Sequence, residues 1–118
     1  MKRPQREFYA MGEVCELFQL KPHVLRYWET QFPALSPPKN RSGNRVYRAR
    51  DLELIALIQH LVQGERYTLE GARARIEELR GEGTAAEVAG QALEESFVRG
   101  LRAELEEVME LLAPPSSG

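Results

Sequence analysis

Residues 22–32, PHVLRYWETQF, and residues 39–48, KNRSGNRVYR, separated by a proline-rich break, decide the fold. Wound as a helix, the first stretch sets Val24, Leu25, Trp28 and Phe32 on one side and His23, Arg26, Tyr27 and Thr30 on the other, at i, i+3, i+4 and i+7. The apolar side needs a core. The polar side carries a histidine, a guanidinium and a phenol with no carboxylate before Glu29, whereas a merely solvated face in an acidic chain would mix signs. Such groups suit phosphates and base edges. The competing reading is an ordinary amphipathic helix. In the second stretch, Arg41 to Arg45 reads as a hairpin tip, with Gly43 and Asn44 able to take positive φ. Val46 alternates with Arg45 and Tyr47, which predicts an inward Val46 and an Arg45 and Tyr47 that project together. A hairpin this small must lean on neighbouring helices; the alternative is a solvated loop.

Upstream, Met11, Val14, Cys15 and Phe18 recur at i, i+3, i+4 and i+7, the stripe of a short amphipathic helix in which Cys15 is a small buried hydrophobe. Gln19, Leu20 and Lys21 form a turn, and Pro22 suits a first helical position, where its missing N–H costs nothing. Two short helices joined this way make a helix-turn-helix, whose second helix enters the major groove. Pro33 ends that helix near Phe32, because a proline ring disfavours helical geometry in the residue before it. Pro37 and Pro38 hold the chain extended. Lys2, Arg3 and Arg6 form a basic arm, read as mobile, that touches a phosphate or nothing.

From Ala49 a helix returns, with Leu52, Ile55, Ile58 and Val62 on one line and Leu54, Leu57 and Leu61 beside them. So wide an apolar arc implies burial on two sides. Gly64 is expected as its C-cap, with His60 on the solvated side. Thr68 caps a further helix carrying Leu69, Ala72, Ile76 and Leu79 and ending at Gly81. Arg66 and Tyr67 stand just before its N-terminus, where backbone N–H groups favour a phosphate. Thr84-Ala-Ala-Glu87 has the capping-box pattern and opens a last helix of roughly 40 Å that Pro114 and Pro115 stop. Leu93, Phe97, Leu101, Leu105, Val108 and Leu112, spaced by threes and fours, form a coiled-coil seam along it. That seam wants a partner, either the equivalent helix of a second subunit or its own domain. Gly90 and Gly100 each weaken the rod by about 1 kcal/mol relative to Ala, so a break near Gly90 would give two helices.

The organisation expected is therefore residues 1–80 as a DNA-binding unit, 84–113 as a helix that wants a partner along its seam, a dimerisation helix where that partner is a second subunit, and 114–118 as a disordered tail. Charge divides along the same lines. Residues 1–50 hold 10 Lys+Arg against 4 Asp+Glu, and residues 81–118 hold 2 against 8, so a whole-chain charge of −2 hides a basic front and an acidic rear. A basic front supplies the sequence-independent attraction that carries much of DNA affinity. No apolar run approaches the ~18 residues of a membrane span, and residues 1–14 lack a signal peptide's apolar core, which makes the cytoplasm the expected location. One cysteine forms no internal disulfide, and Cys15, His23 and His60 are too few for a closed zinc site. No metal or cofactor is expected. With a single Asp (Asp51), two separated His and no glycine loop for phosphate, an enzyme is not expected either.

The segments MGEVCELF, LRYWE, GNRVYRARDLELIALI and RYTLEGARARI, in this order and with these gaps, resemble the MerR family of bacterial transcription regulators from about Tyr9 to Glu78. The resemblance implies a mainly α fold: a winged helix-turn-helix with a small β-hairpin wing and a long C-terminal coiled-coil helix that pairs antiparallel in a homodimer. It implies DNA contacts from Lys21, His23, Arg26 and Tyr27 of the recognition helix, from Arg41, Arg45 and Tyr47 of the wing, and from Arg66 with Tyr67. The partners it implies are an inverted-repeat promoter duplex and RNA polymerase at that promoter. The version YWETQFPALSPPK is similar to the light-responsive and B12-binding subgroup. Departures are Cys15 where the family usually has Ala, Lys21 where a Ser commonly caps the recognition helix, and Val24 where Thr is usual. Effectors of such regulators act at cysteines ending the dimer helix or in a separate C-terminal domain, and residues 81–118 contain no cysteine. If these residues are the whole protein, operator binding needs no small molecule, and abundance, temperature or a partner regulates it. If they are a fragment, a sensing domain follows Pro114. The rival reading is a protein-interaction module built on the acidic helix, with DNA binding vestigial.

Overall fold

The computed structural model describes residues 7–113, so the basic arm and the expected tail at 114–118 lie outside the described residues. Helix α1 (Met11–Phe18) starts where the Ala10 amide donates to Glu13 Oε1 at 3.0 Å. It ends in a tight turn: Gln19 takes φ 55°, and the Leu20 N–H reaches back to the Cys15 carbonyl at 2.9 Å. That backward bond satisfies a carbonyl the helix itself leaves open. Helix α2 (Pro22–Gln31) follows at once, with Pro22 in its first turn and Phe32 leaving in extended geometry before Pro33. The apolar side of α2 is in the core as its spacing requires: Leu25, Trp28 and Phe32 are buried together with Val14, Cys15 and Phe18 of α1. Leu35 is buried too, which pins the proline-rich segment between helix and wing onto the same core.

Strands β1 (Tyr9–Ala10) and β2 (Val46–Tyr47) pair antiparallel, Tyr9 opposite Tyr47, so the wing is tied to the residues just before α1. Its arms meet at Lys39 and Arg45, and the Val46 N–H donates to the Pro38 carbonyl at 2.9 Å. At the tip Gly43 has φ 82°, as expected. Asn44 does not share the left-handed geometry; its amide donates at 3.0 Å to the Asn40 side chain, which also accepts from the Ser42 amide. An asparagine bonded to the backbone two and four residues on makes the turn with one positive φ instead of two.

Helix α3 (Ala49–Gln59) is the central element, and Leu52, Ile55, Leu57 and Ile58 are buried on both its sides. Its start is set by Asp51, which accepts from the Arg48 amide at 2.9 Å. Its end differs from the expected glycine cap. The chain widens into a π-helical turn, His60–Gly64, and the left-handed residue that follows is Arg66, at φ 65°. Widening takes in an extra residue and keeps Leu61 buried after Ile58. His60 is not simply solvated, since its Nε2 lies 2.7 Å from Glu65 Oε2.

Helix α4 (Leu69–Glu82) is capped by Thr68, whose Oγ1 accepts from the Gly71 amide at 2.9 Å. Thr68→Ala is expected to cost about 1 kcal/mol of stability, read by urea unfolding. The helix runs past Gly81 to Glu82, and Gly83, at φ 78°, makes the left-handed stop. Helix α5 (Ala85–Leu112) is continuous, about 42 Å long at 1.5 Å per residue, with no break near Gly90. Its expected capping box does not form: Thr84 accepts no helix N–H, and its hydroxyl turns to the Leu79 carbonyl.

The seam on α5 divides at Gly100. Before it, Ala89, Gly90, Ala92, Leu93 and Ser96 are buried against the rest of the chain, chiefly α3 and α1. A Cβ at Gly100 would lie 3.2 Å from the Leu17 carbonyl, so this glycine permits the close approach of α5 to α1. Leu93, expected to face a second subunit, is only 2% exposed and belongs to the chain's own core. Phe97 is half-buried in a groove with Leu17 and Leu101. Beyond Gly100 the described residues leave the apolar side of the helix largely uncovered: Leu101 is 44% and Leu105 59% exposed, and Val108, Met109, Leu111 and Leu112 follow them into solvent.

Candidate nucleic-acid interface

The outer side of α2 carries Lys21, His23, Arg26 and Tyr27, all exposed, with Tyr27 at 52%. None of these side chains has a hydrogen-bond or ion-pair partner among the described residues. Lys21 precedes the helix and offers it no side-chain cap, consistent with its standing where a capping Ser is common. The helix is held from behind by Leu25 and Trp28, and from its C-terminal end by Arg73 of α4, whose Nη1 donates to the Gln31 carbonyl at 3.0 Å. Sequence reading did not single out Arg73; an arginine on an exposed helix face carries no mark of a partner forty-two residues away.

The wing differs from expectation. Arg41 at its tip is exposed, but Tyr47 is 0% exposed and lies in the core opposite Tyr9, while Val46 is the partly exposed residue. The two residues alternate as their spacing predicts, with the inner and outer faces exchanged. The Tyr47 hydroxyl donates to Glu29 Oε2 at 2.6 Å, and burial, reinforced by that bond, holds the phenol protonated far above its ordinary range. Arg45 is half-buried, and its Nε donates to the other oxygen, Glu29 Oε1, at 2.6 Å. Glu29, only 11% exposed, thus clasps the wing to the recognition helix with both carboxylate oxygens. Nothing in the spacing of Glu29 to Arg45 and Tyr47 marks this three-residue cluster; the single early signal is that Glu29 is the first carboxylate on a helix otherwise cationic. Tyr47→Phe would leave Glu29 Oε2, in a carboxylate only 11% exposed, without its hydrogen-bond donor, with an expected stability cost of about 1–3 kcal/mol by urea unfolding.

Arg66 is exposed and without a side-chain partner among the described residues, and Tyr67 beside it is partly buried. The Tyr67 amide donates to the Leu61 carbonyl at 2.9 Å, which fixes the loop ahead of the α4 N-terminus. A polar chain with buried Gln59 and Ser96 at its centre joins three helices. Gln59 Nε2 donates to the Phe18 carbonyl at 2.7 Å, and Ser96 connects Gln59 to Arg99. Cys15 sits in the core, where burial pushes its thiol pKa up, partly countered by the charge of Arg26. Among the described residues no group of three or more His, Cys, Asp or Glu is arranged to hold a metal, and no helix is long and apolar enough to cross a membrane.

The family model for MerR HTH family regulatory proteins matches residues 9–92, which takes in both strands, α1 to α4 and the buried start of α5. A curated relative from Streptomyces coelicolor (strain ATCC BAA-471 / A3(2) / M145), named "Putative heat shock protein HspR", is 35% identical over 86 residues. The match covers 73% of this chain and 54% of the relative, so the chain spans about half the length of the curated relative it matches. No solved structure gives a significant match. The matched segment carries the helix-turn-helix and the wing whose geometry is described above, and the chain belongs to the MerR HTH family of regulatory proteins, DNA-binding transcription regulators.

Proposed function

We propose that this chain binds an inverted-repeat promoter operator as a homodimer and reads it with α2, regulating transcription there. The observation that carries the reading is the outer face of α2: His23, Arg26 and Tyr27 stand exposed and, among the described residues, without side-chain partners on a helix whose other face is locked in the core. Rigidly held donors of this kind make base and phosphate contacts at little ordering cost. Arg41 at the wing tip and Arg66 before α4 are the flanking phosphate contacts in this reading, with Lys21 at the start of α2 and Tyr67 beside Arg66. Tyr47 is withdrawn from the set because its hydroxyl faces Glu29 inside the protein.

The homodimer rests on the uncovered half of α5. Leu101, Leu105, Val108 and Leu112 are its interface residues; Leu93 acts within the chain, and Phe97 marks the boundary. The two acidic rears pair with each other in this arrangement, the two basic fronts face one duplex, and RNA polymerase at the same promoter is the downstream partner. The relative is named as a heat shock protein, and temperature stands among the inputs we propose here. Similarity of residues 27–39 to the light-responsive and B12-binding subgroup points to a different input. A promoter fusion assayed against heat and against light decides between them.

Selection of duplexes from a random pool tests the function. The expected outcome is enrichment of an inverted repeat whose half-sites lie a helical turn or a multiple apart. A pool that stays random, with no duplex retained, would favour the rival interaction module.

A further inference from the structure

The Glu29 clasp leaves one feature of Arg45 unexplained by stability. Glu29 takes the guanidinium through Nε alone, at 2.6 Å, although a carboxylate and a guanidinium commonly pair through two parallel bonds. The second carboxylate oxygen accepts from the buried Tyr47 hydroxyl at 2.6 Å and receives no bond from Arg45. The two terminal Nη groups of Arg45 have no partner among the described residues, and the side chain remains 35% exposed on the wing. An arginine anchored at Nε and unpaired at both Nη groups presents a planar two-pronged donor edge in a fixed direction, the form that matches a phosphate.

We propose that Glu29 is a positioning residue: it holds Arg45 by Nε so that the Nη edge is aimed at one DNA phosphate, and Tyr47 fixes the carboxylate that does the aiming. The inference rests on the DNA-binding reading above and deepens it. It makes the recognition helix and the wing one unit, since the carboxylate that orients the wing's arginine sits on α2 itself. It also predicts a sign that simple charge counting reverses. A carboxylate near DNA repels phosphate, so its removal by charge alone should tighten binding; if it aims Arg45, its removal weakens binding.

The test measures fluorescence anisotropy against the duplex that the wild-type protein selects, across a salt series, with Arg45→Ala, Arg45→Lys, Glu29→Ala and the Glu29→Ala, Arg45→Ala double variant. Arg45→Ala is expected to weaken binding roughly 5- to 10-fold and lower the salt slope by about 1. Arg45→Lys should lose nearly as much, because lysine has one ammonium group and Glu29 engages it. Glu29→Ala should weaken binding in the Arg45 background and change it little when Arg45 is already absent, a non-additivity that a general loosening of the wing would not produce. Thermal melting checks that Glu29→Ala folds; if it does not, Arg45→Lys decides alone. Wild-type affinity in Arg45→Lys, tighter binding in Glu29→Ala, or equal losses in both backgrounds would overturn the inference and leave the DNA-binding reading standing. Failure of the wild-type protein to bind any duplex would remove both.

Discussion

Replacing Leu101 and Leu105 together by Asp is expected to turn a dimer into a monomer and to abolish operator binding with it. Both leucines lie beyond Gly100, the last buried residue of α5; Leu101 borders the groove with Leu17 and is 44% exposed, and Leu105 is 59% exposed. A long helix half free of its own domain is not stable as a lone acidic rod, because isolated helices draw little stability from propensity alone. The second subunit supplies the missing apolar contact in this account, and two Asp side chains would place unpaired charges in it. They would also add to Glu104, Glu106, Glu107 and Glu110, which already repel one another along the same stretch. The domain itself should fold normally, since its core is complete without these positions, so circular dichroism would show most of the helix while light scattering reports the monomer. An unchanged dimer would move the interface to another surface.

The second large effect is expected at the reading helix. Arg26→Ala and Tyr27→Ala should each cost on the order of 1–3 kcal/mol of operator affinity if the side chains reach base edges, and should relax sequence preference at the bases they contact. Stability should move by less than about 0.5 kcal/mol in either variant, because both residues are exposed and without side-chain partners among the described residues. That separation distinguishes them from Tyr47→Phe, whose effect is expected on folding first. If the affinity loss tracked a loss of stability instead, α2 would be a structural helix only.

Much of this was legible because period and punctuation agree in the front half. The stripes of α1, α2 and α3 hold most of the buried residues of these helices, although Met11, Val24, Leu54 and Val62 are only partly buried and Asp51, Ala56 and Gln59 of α3 are buried outside the stripe, and Pro22, Pro33 and Thr68 mark helix ends by mechanisms that act locally. What failed was information that only packing holds. A two-residue strand alternates whichever way it faces, so the sequence showed that Val46 and Tyr47 differ and not which one is inside; pairing of Tyr9 with Tyr47 decides it. Glu29, Arg45 and Tyr47 meet across sixteen to eighteen residues, beyond the reach of any helical or strand spacing rule. On α5 one heptad-like line serves two different partners, the chain's own core up to Gly100 and an uncovered face after it, and the spacing by threes and fours is the same for both. The stop of α4 falls at Gly83 and not at Gly81 for a simpler reason. Gly81 and Gly83 are both acceptable at a helix end, and Gly83 is the one whose amide reaches the Leu79 and Arg80 carbonyls.

The most direct measurement is the salt dependence of wild-type binding to a labelled duplex, followed by anisotropy from low to physiological ionic strength. The account predicts tight binding at low salt and a logarithm of affinity that falls linearly and steeply with the logarithm of salt concentration, as phosphates on the duplex exchange counterions for the cationic groups of α2, the wing and the loop before α4. No binding at low salt, or an affinity that salt does not change, would contradict it.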